Sequence, residues 1–502
     1  MKLKLIALAA LAAAGSANAL TAAQIDSFRA AGTLKEIRLS GSSAYRLAIA
    51  GYIQTICKPG TIDVFFSSAS LIATGDGEGS GARAYSCDLG VKLGNWDVGT
   101  HILINKRDSG GSIVGVANVA TNDASTIQMK VTAASCGTSA AYTNITTKTA
   151  VCTQSEAVAP DAGFSDLEPA LLNVSPNLID NVLGKPSSGS KSPVDISTLT
   201  VSPFWQAIFG VAVNCSAYRA LQAAQGLTQD NATCSNTSDA TRPSLSKNWI
   251  RTAMVGNVDT SIDGLQGWGL VLGTGGNGKT VNICRRDPGS GTQATAQTYF
   301  LNNPCNTQYG LTPARQASDT KPSPDANSGG VNVIENSSTG DVLTCLNNAE
   351  TNSAYAFGIF SRENVELDSK SKWRYVRIDG ALPNRSNNTP VFSGAVTGAY
   401  DFVGEGTMNW NTAVVSAKPD LLKALQDISK KANTPAAIAA LPTTSTANSP
   451  EGVMATPLVW SGLSSNGSWS GLQAGEQPYA SRLLNTTQVG GVSNSCSIFN
   501  TF

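Results

Sequence analysis

Residues 282–300, NICRRDPGSGTQATAQTYF, set Arg285, Arg286 and Asp287 against a Ser290-Gly291-Thr292 turn, and the run that follows can form a helix. Guanidinium forks, short hydroxyls and the unpaired N–H groups of a helix start are chemistry for holding an anion. Glycine in such a turn lets the main chain approach an oxyanion closely. Two further turns share this character: LSGSSA at 39–44, with Ser42, Ser43 and the Ala44 amide, and KRDSGGS at 106–112, with Ser109. Taken singly, each turn also fits ordinary helix capping beside a surface Arg–Asp pair.

KRDSGGS also has the look of a serine-protease nucleophile loop, which requires a histidine base and an aspartate to orient it. His101 is the sole histidine and lies eight residues before Ser109, in a β-like segment where it reads as a core or edge residue. Lys106 as the base of a Ser–Lys dyad has nothing specific behind it. Capture is favoured over catalysis, and no cofactor is implied.

The elements that must carry these turns repeat one plan of extended segment, Gly/Ser turn and helix. After the first turn, Tyr45, Ile49, Ile53 and Ile56 recur at helical spacing, with a serine placed as the N-cap. Val281 and Ile283 alternate along a strand before the 287–292 turn, and 293–301 can be helical. AGFSDLEPALLNV at 162–174 offers a fourth unit, with Ser165 or Asp166 as a cap and Pro169 in the first turn. Strands alternating with helices predict an α/β fold with a largely parallel sheet, and ligands of such sheets gather at the carboxyl ends of strands. Polar stretches at 120–162, 215–247, 303–335 and 379–400 read as insertions. Residues 433–450 read as a helix and linker before a Trp/Ser/Gly-rich tail.

Net charge is zero and 14% of residues are charged, against about 25% in an average protein. There is no basic stripe for nucleic acid and no cationic amphipathic helix for a membrane surface. Lys2 and Lys4, the apolar run Leu5 to Ala14 and the A-x-A site Ala17-Asn18-Ala19 predict a cleaved secretory leader over 1–19. A periplasmic or secreted protein without membrane insertion is expected. Ten cysteines in an oxidising compartment predict disulfides, and no C-x-x-C pair suggests a metal. Sequence proximity suggests Cys136–Cys152, Cys215–Cys234, Cys57–Cys87 and Cys284–Cys305, which leaves Cys345–Cys496.

The segment RRDPGSGTQATAQTYFL resembles the R-x-D-G-S-G-T motif of the phosphate-binding proteins that serve ABC importers, in the type II periplasmic binding protein superfamily. LSGSSA is similar to that family's first ligand loop and RDSGGS to its Gly/Ser-rich second loop. GFSDLEPALL at 163–172 looks like the segment whose aspartate meets the anion. VSPFWQAIFGVAVN at 201–214 is similar to the strand that crosses into a second lobe, and YAFGIFS at 355–361 to the late strand that returns. The resemblance implies a two-lobed α/β fold: a first lobe over 20–200, a second over 201–354, and a return with a C-terminal extension over 355–502. It implies a monomer that takes phosphate or a related oxyanion between the lobes and delivers it to an ABC permease. The implied ligand groups are Ser42, Ser43, Ala44, Ser109, Asp166, Ser290, Gly291, Thr292 and either Arg285 or Arg286. Pro288 is extra relative to the family motif, so counting from Ser290 selects Arg286 and counting from Asp287 selects Arg285. Tyr45-Arg46 replaces the family's Thr-Phe pair. An extracellular scaffold on the same fold and a phosphate-ester hydrolase are the competing readings. Absence of histidine and metal-ligand clusters weighs against the hydrolase.

Overall fold

The alternating and continuous apolar runs become a set of strands whose carboxyl ends carry the turns. The computed structural model describes residues 20–69, 81–138, 140–141, 148–178, 191–236, 238–259, 261–304, 324–326, 330–364, 366, 371–383, 394–395, 398–441 and 452–456. The expected leader, Cys305, Cys496 and the Trp-rich tail lie outside them. The elements that matter for the site are β1 (Lys35–Gly41), α1 (Arg46–Ile56), β2 (His101–Arg107), β3 (Ala162–Ser165) and β4 (Leu199–Asn214). They continue with β5 (Val281–Arg286), α2 (Gly291–Leu301), β6 (Val331–Asn336), α3 (Thr339–Thr351), β7 (Ala356–Ser361) and β8 (Val403–Asn411).

These strands lie in the order β6-β5-β7-β4-β8-β3-β1-β2, and the path continues through 82–88, 63–66, 148–151 and 140–141; Trp373–Tyr375 and Val453–Met454, which pair with β4 off this path, bring the sheet to fourteen strands among the described residues. It is mixed. β1 runs parallel to β2 and β3, and β5 runs parallel to β6 and β7. Between the two parallel sets, β4 and β8 pair antiparallel with each other, β8 with β3 and β4 with β7. The fold is therefore α/β, as the alternating units predict.

β4 is buried without a break from Phe204 to Asn214, the pattern of a strand covered on both faces. One face of α1 places Ile49, Ile53 and Ile56 in a core with Ile37, Leu39, Ile102 and Ile104. The expected serine cap of α1 is not made: Tyr45 occupies the N-cap position without a side-chain cap bond. β7, expected to return to the first strand set, instead pairs parallel with β5 and antiparallel with β4. The strand that rejoins β3 is β8. Val453–Met454 then pairs with Gln206 and Ala207 of β4, extending the edge that β7 occupies further along.

Cys57 bonds Cys87, Cys136 bonds Cys152 and Cys215 bonds Cys234. The expected Cys284–Cys305 and Cys345–Cys496 pairs are corrected: Cys284 is bonded to Cys345, with Cα atoms 6.0 Å apart. The reason is tertiary. Cys284 lies in β5 and Cys345 lies on α3, which packs against β5 and β7. Replacing Cys284 and Cys345 together by serine is expected to lower stability by about 2–4 kcal/mol, since the bridge closes 61 residues of sequence. Denaturant unfolding of the pair variant checks this, and a non-reducing peptide map checks the connectivity.

Candidate anion site around Asp166

Three loops from the first strand set and one from the second meet at Asp166. The Asp166 carboxylate accepts hydrogen bonds from the hydroxyls of Ser42, Ser112 (3.2 Å) and Thr292 (3.0 Å). All four side chains are buried. Ser42 follows β1, Ser112 follows β2, Asp166 follows β3 and Thr292 lies in the first turn of α2, after β5. Thr292 and Ser42 therefore face one carboxylate from separate parts of the chain, the convergence that anion capture by these loops requires.

Each loop has a local reason for its shape. Gly41 has φ +95°, and a Cβ there would lie 2.2 Å from the Phe164 carbonyl oxygen. Only glycine lets β1 turn against β3 at this point. The Ser42 amide donates to that same carbonyl (2.9 Å), and the Ala44 amide donates to the Ser42 hydroxyl (3.0 Å). After β2, Gly110 and Gly111 both take positive φ, and Ser112–Gly115 forms a short 3-10 turn. The Asp166 amide donates to the Ser112 hydroxyl at 3.3 Å. The short helix expected after Asp166 spans Pro169–Leu172, with Glu168 at its N-cap position and no side-chain cap bond, so Asp166 does not serve as a cap.

Across the cluster, the Ser290 hydroxyl caps α2 by accepting from the Gln293 amide (3.4 Å). A Cβ at Gly291 would lie 2.2 Å from the Ser112 hydroxyl and 2.7 Å from the Asp166 side-chain carbons. The facing loops also touch through main chain: the Ile113 amide donates to the Gly289 carbonyl (3.0 Å) and the Gly289 amide to that of Asn177 (3.0 Å).

The two arginines part company because successive strand side chains point to opposite faces. Arg285 pairs with Glu335 at 3.0 Å, both buried. Arg286 donates to Thr339 (3.3 Å) and to the Ser337 carbonyl (3.1 Å), and its charge acts on Asp166. Burial pushes the Asp166 carboxyl up, against the hydroxyl bonds from Ser42 and Thr292, the Arg286 charge and the Ser112 bond.

Of the residues named from sequence, Ser42, Asp166, Gly291 and Thr292 come together, with Ala44, Ser290 and Arg286 beside them. Ser43 is buried but is engaged through its carbonyl, which accepts from Arg46 at 3.1 Å. Ser109 is half-buried, and its carbonyl accepts from Arg107 at 3.2 Å. Ser112, not singled out from the sequence, is the serine of that turn that reaches Asp166. Its signal was available: in S-G-G-S the second serine opens the next helical turn. His101 stacks on Phe28 and bonds Asp88 (2.6 Å). Among the described residues no group of three or more His, Cys, Asp or Glu is placed to hold a metal ion. Nor is any helix among them long and apolar enough to cross a membrane.

No protein-family model and no curated protein matches the chain. Solved structures do align with it, two of them as follows. A possible phosphate binding protein from Planctomyces limnophilus is 10% identical, with 80% of this chain and 89% of that one covered and a TM-score of 0.30. PstS from Borrelia burgdorferi is 9% identical, with 78% and 92% covered and a TM-score of 0.29.

Proposed function

We propose that the chain is an exported solute-binding protein that captures inorganic phosphate, or a related oxyanion, at the loops around Asp166. The observation that carries this reading is the meeting of three hydroxyls, from three separated loops, on one buried acidic group with Arg286 beside it. A dehydrated oxyanion is costly unless its lone pairs are met, and a cluster of neutral donors with one guanidinium meets them. On binding, Ser42, Ser112 and Thr292 turn their hydroxyls from the carboxylate to the anion, and a protonated anion donates to Asp166. In this reading the strand sets on either side of β4 and β8 are two lobes that close on the ligand, and the chain then delivers it to an ABC permease as a monomer. The second lobe extends through Ser361, because β7 pairs with β5. The disulfides suit a periplasmic or secreted location.

One observation favours the scaffold alternative. The same hydroxyls already satisfy Asp166, and main-chain bonds join the facing loops. Titration calorimetry with phosphate and with sulfate separates the two readings, and no heat from either anion favours the scaffold.

Selectivity follows from proton count. An ionised Asp166 repels an anion unless that anion carries a proton to donate, which hydrogen phosphate does and sulfate does not. Asp166→Asn is expected to reduce the phosphate-over-sulfate preference at least about tenfold, the result of about 1.4 kcal/mol of differential interaction. Because burial raises this carboxyl, its neutral, donating form persists to higher pH than for an ordinary aspartate. Sulfate competition in the native protein is therefore expected to strengthen on acidification and fade as pH rises. Asp166→Asn should remove that pH dependence, measured as sulfate inhibition of phosphate binding across the pH range.

A further inference from the structure

Two buried cations stand behind the first ligand loop. Lys106, near the end of β2 and paired in register with Leu39 of β1, is 3% exposed. Its ammonium donates to the carbonyls of Gly41 (2.9 Å), Ser42 (3.1 Å) and Arg107 (3.3 Å) and ion-pairs with Asp108 at 2.5 Å. Arg46, at the start of α1, donates to the Ser43 carbonyl (3.1 Å), to Glu363 (3.1 Å) and to Asn364 (2.9 Å). Three consecutive carbonyls, 41, 42 and 43, are thus all bound by cations. In the same turn the Ser42 hydroxyl donates to Asp166.

We propose that Lys106 and Arg46 are positioning residues that polarise the first loop: they hold its carbonyls on the cationic side, so that its donors face Asp166 and an incoming anion. Lys106 also ties that loop to the second, since one ammonium binds the carbonyls of Gly41 and Ser42 together with the Arg107 carbonyl that ends β2 and the Asp108 carboxylate that follows it. An ammonium suits this place because its three rotatable N–H donors can reach acceptors in several directions, which a planar guanidinium cannot. A carbonyl turned toward an oxyanion is repulsive, so holding three of them away makes the turn ready for an anion before one arrives. Asp108 balances the Lys106 ammonium at 2.5 Å, whereas Arg46 is met by hydrogen bonds to Glu363, whose carboxyl burial pushes up to about 8, and to Asn364. The consequence for affinity rests on the proposed anion-binding reading, whereas the consequence for loop order does not.

The test compares the native protein with a charge-balanced variant, Lys106→Met with Asp108→Asn, by amide hydrogen exchange, thermal unfolding and phosphate calorimetry. Expected is exchange faster by about tenfold or more in 39–46 and 107–113. Other segments and the unfolding temperature are expected to stay near native, with phosphate affinity about tenfold weaker. Should the native protein bind no phosphate while those two segments still loosen in the variant, the positioning role stands and the phosphate reading falls. Unchanged exchange in both segments overturns the proposal, as does loosening spread over the whole chain. If this variant does not fold, Arg46→Met with Glu363→Gln is the second test, expected to loosen 39–46 alone. Failure of both variants to fold shows a purely structural role and overturns it.

Discussion

Gly291→Ala should abolish anion binding, with a loss of about a hundredfold or more, equivalent to ~2.7 kcal/mol. Alanine at the first position of α2 brings up to about 1 kcal/mol of helix propensity, so on local grounds the substitution should stabilise. The surroundings reverse the sign. The new methyl would stand 2.2 Å from the Ser112 hydroxyl and 2.7 Å from Cβ and Cγ of Asp166. The serine can rotate away, but the aspartate side chain is held by Ser42 and Thr292, so the cluster must open. Overpacking of this kind costs about 1–3 kcal/mol, which offsets the propensity gain. Calorimetry reads the binding loss and thermal unfolding the stability. Gly275→Ala, where a Cβ meets nothing within 4 Å, is the control and should leave binding unchanged.

Arg242→Met is expected to cost about 3–5 kcal/mol of stability, because it leaves a buried carboxylate without its partner. Arg242 and Glu366 form a two-pronged pair at 3.0 and 2.7 Å, and Glu366 also accepts from the Tyr375 amide at 2.9 Å. Burial alone would raise the Glu366 carboxyl, but the Arg242 charge and hydrogen bonds, aided by Arg362 and the Tyr375 amide, hold it at about 2. A carboxyl held below its unfolded value contributes stability that is full above pH ~4.5 and is lost as pH falls toward 2. Denaturant unfolding between pH 7 and pH 2 should show this loss in the native protein. In Arg242→Met the dependence should weaken or reverse. An equal slope in both proteins would remove Glu366 from the acid limb.

The strand–turn–helix units were legible because they obey local rules: apolar period, glycine at the turn, and short polar residues before the helix. These place Ser42, Asp166 and Thr292 at strand ends, where a parallel arrangement brings loops together. What was not legible depends on tertiary placement. Choosing Ser112 over Ser109 needs the positive φ of Gly110 and Gly111, which swing the chain round before the next turn. Separating Arg286 from Arg285 needs to know which face of β5 looks toward α2. The Cys284–Cys345 bond depends on how α3 docks on β5, and proximity along the chain pointed to Cys305 instead. β7 reads the same from sequence whether it joins β3 or β5, since a buried strand shows only a short apolar run. Lys106 carries no signal at all. Its role exists only because Gly41, Ser42, Arg107 and Asp108 surround it.

Equilibrium dialysis of the purified native protein against radiolabelled phosphate bears most directly on the reading of the Asp166 cluster as an anion trap. Saturable uptake of one phosphate per chain, lost in Gly291→Ala, is the expected result. A folded native protein that takes up no phosphate at millimolar concentration contradicts it, and leaves the buried cluster as a fastening between two strand sets.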